Sequence, residues 1–297
     1  MNKALKKITV FFGVCFASFL ISGTAGARQA YYEIPKPKNF NPNVAVNEIE
    51  TAVNQSSVVS GVTADDGKIY IDGETAAQKN LEAVTEIEDC LRSLNDKGMY
   101  LNRKPVNTVT VRIEDADLSD FVEIVIDSDN MNKIADINDL KIVPGNDNEY
   151  IALSKESINY IADNYREFRV QIKKLSDTYT VRFLDNNSNI IGKYGVNIKI
   201  ALPAEHSEQT VYLFVNNQHE NWGGQYNAAD HAIEFMTKYS GEYNVASPET
   251  VIDDINELSE YEKQAIRFMV IRGYFDLDNN RFDPQSILTR YDFAESL

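Results

Sequence analysis

The sequence predicts an α+β protein: mixed strand–helix–strand units, then an antiparallel β-rich region, then a small helical module at the C-terminus. Three observations carry this expectation. A strand–helix–strand pattern occurs twice between residues 123 and 172. From Tyr179 to Tyr243 apolar residues alternate with polar ones, the two-residue period of half-buried strands. Beyond residue 252 the apolar spacing returns to that of a helix.

The chain opens with an expected secretory signal peptide, residues 1–27. Lys3, Lys6 and Lys7 form a positive start, Ile8 to Ile21 is almost wholly apolar, and Ala25-Gly26-Ala27 supplies the small residues that signal peptidase accepts. The apolar run is shorter than the roughly 20 residues of a membrane-crossing helix, so cleavage is expected rather than retention as an anchor. Cys15 lacks the small residue that usually precedes a lipidated cysteine. Losing the leader removes three lysines and takes the formal net charge from −16 to −19. So acidic a chain repels phosphate backbones and anionic headgroups, which argues against nucleic-acid partners and against membrane association of the mature form. Cys90 is then the only cysteine, so no intramolecular disulfide forms and burial has to hold the fold. Its neighbours Ile87, Leu91 and Leu94 indicate a packing role for the thiol.

Residues 28–60, with Pro35, Pro37 and Pro42 and a polar tail of no sustained period, read as a linker. An α+β domain is expected over 61–176. Ile69-Tyr70-Ile71 is a strand, and a helix from about Thr75 to Asn95 carries Leu81, Val84, Ile87, Leu91 and Leu94 on one face until Gly98 stops it. Val109, Val111 and Ile113 alternate as a strand. The repeated unit follows. Glu123 to Ile126 is a strand, Ser128 is placed to cap a short helix through Asp136, and Leu140 to Val143 is a strand. The pattern returns as Tyr150 to Leu153, Ser154 as cap, Ile158 to Asp163, and Phe168 to Ile172. Asn, Ile, Ala and Asp match across the two helices at a spacing of 27 residues.

A β-rich domain is expected over 177–248. Strands run through Tyr179, Val181 and Phe183, through Val196 to Leu202, and through Val211 to Val215, with Asp185 to Asn189 as a turn. Trp222 to Tyr226 and Ala232 to Met236 read as the arms of a hairpin, with Trp222 a packing anchor before it is a sugar platform. In the last segment, 249–297, Glu260 to Arg272 is a helix whose inner face is Ala265, Ile266, Met269 and Val270. A second helix starts near Leu288.

Residues 252–297 resemble an S-layer homology module, the wall-anchoring unit of many bacterial surface proteins. The resemblance runs through Asp254-Ile255, Ala265-Ile266, Arg272-Gly273, Tyr274-Phe275, Arg281-Phe282-Asp283-Pro284 and Leu288-Thr289-Arg290-Tyr291-Asp292-Phe293-Ala294. It implies binding to secondary cell-wall polysaccharide, often pyruvylated. Thr289 and Arg290 match the family's threonine–arginine motif, which makes Arg290 the expected partner of a pyruvate carboxylate. Asp254 matches the acid at the start of the module, where it would hydrogen-bond sugar hydroxyls or act as a turn residue. The sequence departs from the family in lacking glycines in the loop Asp276 to Asn280, in having Tyr291-Asp292 after the arginine, and in showing one module where anchoring normally uses three. A homo-trimer, weak binding by one module, or a longer product would each accommodate the last point.

Asp276, Asp278 and Asn280 have the spacing that begins a calcium loop, but Arg281 and Ile287 stand where the tight turn and the bidentate ligand belong, so no metal or cofactor is expected. His206, His219 and His231 are scattered, with no nucleophile elbow or phosphate-cradling loop. The expectation is therefore a secreted, non-catalytic protein of the cell wall or S-layer. The alternatives are a secreted carbohydrate-active enzyme or an adhesin whose site is not legible in the residues.

Overall fold

The computed structural model describes residues 40–284, apart from 60–62, 66–67, 114–115, 146, 216–217, 248–250, 273 and 276. The expected signal peptide, Pro35, Pro37, Thr289, Arg290 and the second C-terminal helix lie outside the described residues. In chain order the elements are helix α1 (Pro42–Ser56), strands β1 (Val58–Val59), β2 (Thr63–Asp65) and β3 (Lys68–Tyr70), helix α2 (Gly73–Asp96), and strands β4 (Thr108–Arg112) and β5 (Val122–Ile126). Helix α3 (Ser128–Lys133), strands β6 (Asp139–Val143) and β7 (Tyr150–Ser154), helix α4 (Lys155–Asn164), and strands β8 (Phe168–Leu175) and β9 (Thr178–Leu184) follow. The rest are strands β10 (Ile190–Ile191), β11 (Lys193–Pro203), β12 (Thr210–Val215), β13 (Gln218–Gly223), β14 (Gln225–Asn227), β15 (Ala232–Tyr239) and β16 (Gly241–Ala246), and helix α5 (Glu260–Ile271). This is a mixed α and β architecture in which sheet predominates, as the periodicities predict. No helix among the described residues is long and apolar enough to cross a membrane.

Two sheets enclose the core. The first runs β1-β4-β6-β7-β11-β15-β14 and the second β13-β12-β16-β9-β8-β5-β3-β2, with β10 added beside β9. Inward side chains of both meet in one apolar cluster that includes Val109, Leu140, Ile151 and Ile200 from the first sheet and Ile124, Phe168, Val181 and Leu213 from the second. The boundary expected at 176/177 falls in the turn between β8 and β9, which are paired neighbours in the second sheet. Strands from both sides of that boundary contribute to both sheets.

The repeated units explain how the sheets are joined. The chain passes from the second sheet (β5) through α3 to the first (β6), then from the first (β7) through α4 back to the second (β8). The units thereby lie antiparallel on each other, β5 against β8 and β6 against β7. Met131 and Ile134 of one unit and Ile158 and Ile161 of the other, at equivalent positions, are all fully buried. The cap of α3 is Asp127, whose carboxylate accepts the Asn130 amide at 2.9 Å, and not Ser128, which is the first helical residue. Asp127 matches Ser154, the cap of α4, in the same 27-residue register.

Two expectations are corrected at the N-terminal side. Residues 42–56, assigned to the linker, form α1: Asn41 caps it, Pro42 occupies the first turn, and Ala45, Val46, Ile49 and Val53 make a buried stripe. The stripe is short and flanked by Asn, Glu and Thr, which hides it in a composition scan. Helix α2 buries Ala76, Asn80, Ala83, Ile87, Cys90 and Leu94, whereas Leu81, expected on that face, is 60 % exposed. Alanines at the contact let the helices approach closely, and the buried Asn80 is satisfied by the Asn107 amide at 2.8 Å. Cys90 sits with Ile49, Val53, Ile87, Leu94 and Met99, and burial raises its thiol pKa.

Gly73, the first residue of α2, donates its amide to Asn130 Oδ1 at 2.9 Å, and a Cβ there would lie 2.6 Å from the Asn130 carbonyl oxygen. Gly73→Ala is expected to destabilise by about 1–3 kcal/mol through overpacking against α3. Urea unfolding would measure it, and a loss below about 0.5 kcal/mol would show that α3 yields freely.

Candidate functional site

The C-terminal segment builds its own small core. Ile252, Ile255 and Ile266 are buried against Leu258, Met269, Val270, Leu277 and Phe282. Ser259 and Glu262 form a reciprocal capping box that starts α5. Asp254 closes the unit: its two carboxylate oxygens accept the Phe282 amide at 3.0 Å and the Asp283 amide at 2.7 Å. The Phe282 amide, followed by that of Asp283 and the charge of Arg281, holds this carboxyl below the usual aspartate range. Asp254 is thus engaged by main chain on both oxygens. The loop it clamps needs left-handed backbone, with φ of +50° at Asn279, +61° at Asn280 and +52° at Asp283. Asn and Asp are the non-glycine residues that tolerate this conformation best.

The end of α5 meets the two-sheet core. The Asn221 amide donates to the Ile271 carbonyl at 2.7 Å, and Arg272 Nη2 donates to the Ser207 carbonyl at 2.9 Å. Arg272 is buried with Nε and Nη1 unpartnered.

Trp222, expected in one arm of a hairpin, belongs to β13 in the second sheet, while Gln225–Asn227 pairs with β15 in the first. The chain changes sheets at Gly223 and Gly224, with φ of +73° and +115°. Trp222 Nε1 donates to the Met236 carbonyl at 3.0 Å and its ring meets Tyr239 edge-on at 5.7 Å, so it packs the strand crossing.

A polar groove of about 460 Å³ lies over the end of the first sheet. Thr110 pairs in register with Lys141, and Arg112 with Val143, so β4 and β6 set these side chains beside each other. The loop before β7 brings Asp147 to Arg112, with which it forms an ion pair. The turn from β14 into β15 brings Asp230 to Lys141 at 3.1 Å. Val143, Tyr150, Ala201 and Ala232 form a small apolar cluster separate from the main core.

Beneath the groove runs a second layer of bonds. Lys141 Nζ lies 3.8 Å from the centre of the Tyr150 ring, and the Tyr150 hydroxyl donates to Glu234 at 2.5 Å. Glu234 also accepts from Asn227 at 2.8 Å and from Lys199 at 3.1 Å. Burial pushes the Glu234 carboxyl up, but the bonds from Tyr150, Asn227 and Lys199 outweigh it and leave the group below its ordinary value. Burial, reinforced by Glu234, moves the Tyr150 hydroxyl far above its ordinary value. No group of three or more His, Cys, Asp or Glu side chains placed to hold a metal ion occurs among the described residues.

No family model, curated protein or solved structure matches this chain.

Of the three site residues read from the sequence, the structure places Asp254, at the loop clamp, while Thr289 and Arg290 lie outside the described residues. The groove residues were not singled out by sequence. Arg112 and Lys141 are outward positions of strands whose buried partners, Val109, Val111 and Ile142, were legible. Nothing local shows that β4 lies beside β6, or that a turn 89 residues further on returns to Lys141.

Proposed function

We propose that the chain is an exported, non-catalytic cell-surface protein held on the cell wall through an S-layer-homology-like C-terminal module that binds secondary cell-wall polysaccharide. One observation carries this reading. Residues 252–284 form a unit with its own apolar core, closed by Asp254 on a loop in which Asn279 and Asn280 adopt backbone angles that glycine favours. The module family has glycines in that loop, so the asparagines satisfy the same backbone requirement by another route. In this reading Arg290, with Thr289 beside it, pairs with the carboxylate of a pyruvylated sugar, because a guanidinium offers two parallel donors to a planar carboxylate. Asp254 shapes the module, with any hydrogen bond to sugar made by lone pairs not used on Phe282 and Asp283.

The test is sedimentation of residues 28–297 with purified cell walls, before and after mild acid removal of the attached polymer. Arg290→Ala is expected to lower retention on intact walls at least about tenfold, the worth of one charge-assisted pair. Stripped walls are expected to retain neither form. Equal retention of both forms on intact walls would remove Arg290 from the role, and no retention of the wild type would remove the anchoring function.

A further inference from the structure

The groove over the first sheet is lined by residues from Thr110 to His231, outside the C-terminal module, and its construction exceeds what a solvated face requires. Its volume of about 460 Å³ lies within the roughly 300–1,000 Å³ of small-ligand clefts. Its charged groups form two balanced pairs, Arg112 with Asp147 and Lys141 with Asp230. The Lys141–Asp230 pair is held in place: Lys141 by the Tyr150 ring, and Asp230 by Asn227, whose Nδ2 lies 3.3 Å from the Asp230 carboxylate and whose Oδ1 accepts the Asp230 amide at 3.4 Å. Asn227 and Tyr150 are themselves fixed by Glu234. Ion pairs near the surface contribute little to stability, so the layer beneath Lys141 and Asp230 serves precise placement of that pair. At the rim His231 holds a left-handed φ of +49°, a conformation costly for a non-glycine residue and concentrated at functional sites.

The charge balance decides the class of ligand. An anion would gain from Arg112 and Lys141 and lose equally to Asp147 and Asp230, on a chain whose net charge is already −16. A cation would meet the converse within the groove. A neutral polyol needs no net charge, because each hydroxyl donates and accepts at once. Carboxylates and cationic side chains set side by side satisfy both functions with charge-assisted bonds. Ala229 adds an exposed apolar methyl at the groove. We propose that this groove is a saccharide-binding site for a neutral sugar, engaged by Arg112, Lys141, Asp147 and Asp230.

The full chain carrying Arg290→Ala, which removes the proposed anchoring contact, would be titrated with short neutral oligomers of glucose, mannose, galactose and N-acetylglucosamine. Saturation-transfer NMR and calorimetry would read binding, with glucuronate and sugar phosphates as charged comparators. A neutral oligomer is expected to bind, and Asp230→Asn and Arg112→Gln are each expected to weaken it at least about tenfold. Arg112 and Asp147 have side chains 43 % and 68 % exposed, so Arg112→Gln is expected to leave the unfolding midpoint nearly unchanged and separates loss of the site from loss of the fold. The proposal is overturned if no neutral oligomer binds at millimolar concentration, if both variants bind as the parent does, or if only the charged comparators bind. Wall retention through Arg290 can stand or fall separately.

Discussion

Arg169→Met is expected to destabilise the protein by about 3 kcal/mol at neutral pH, because it leaves the buried Glu123 carboxylate with only the Gln171 amide at 3.0 Å and the Lys68 ammonium at 3.9 Å. Arg169 on β8 and Glu123 on β5 meet diagonally, since Glu123 pairs in register with Gln171 and Arg169 with Val125, and their side chains are 7 % and 10 % exposed. Nε and Nη2 of Arg169 donate to Glu123 Oε1 at 3.1 and 2.5 Å, Nη1 reaches the carbonyls of Asp185 and Asn186, and Nη2 also meets Ser188 at 3.0 Å. The guanidinium therefore pins the turn after β9 as well as neutralising Glu123. Burial pushes the Glu123 carboxyl up, but the bonds from Arg169 and Gln171 more than offset this and hold it below the usual glutamate range. A depressed folded-state value gives stability that is present in full above the unfolded value, about pH 4.3, and is lost as pH falls through the folded value. The deficit of Arg169→Met against wild type is therefore expected to shrink on acidification from pH 7 towards pH 3, since protonation relieves the stranded carboxylate. The double variant Glu123→Leu/Arg169→Met is expected to recover much of the loss, as matched apolar replacements of buried pairs do. Urea unfolding of the four proteins forms the cycle. A single-variant loss under about 1 kcal/mol, or a deficit that grows in acid, would refute this account.

Phe183→Ala is expected to cost about 3–5 kcal/mol through the cavity it leaves. Phe183 is fully buried, stacked on Tyr194 at 4.9 Å and tilted against Phe168 at 6.4 Å, where strands of the second sheet meet the chain entering β11. Tyr165 stacks on the other side of this group, 4.4 Å from Tyr194. The same cluster supplies a contrast of opposite sign. The Tyr194 hydroxyl is buried without a partner, so Tyr194→Phe removes an unsatisfied polar group and is expected to be neutral or to stabilise by about 1 kcal/mol. Calorimetric unfolding of both variants distinguishes volume from polarity. Were Tyr194→Phe to destabilise strongly, the hydroxyl would have to be bonded in solution.

How far the fold could be read in advance varies with the range of the interaction. The alternation at Val109, Val111 and Ile113, or at Tyr179, Val181 and Phe183, marks strands because successive side chains face opposite sides of a sheet. Ser154, read as a cap, precedes its helix because its side chain takes up an amide that the first turn leaves free, and the cap expected at Ser128 lies one residue earlier, at Asp127. Both signals are complete within a few residues. The face that α2 buries is not a local matter. It follows from α1, itself disguised as linker, and from Asn107, so the small residues Ala76 and Ala83 turn inward and the larger Leu81 faces water.

The sequence by itself determined where most strands and helices lie, the 27-residue duplication, the buried setting of Cys90, and the acidic character of the chain. Tertiary structure alone decided that residues before and after 176 share two sheets and one core, that Trp222 packs a strand crossing, and that Arg112, Lys141, Asp147 and Asp230 converge. The physical reason is that periodicity records which side of an element is buried, but not which distant element buries it. Strand partners are chosen by complementary burial and hydrogen bonding over the whole chain, and so are the sites their surfaces create.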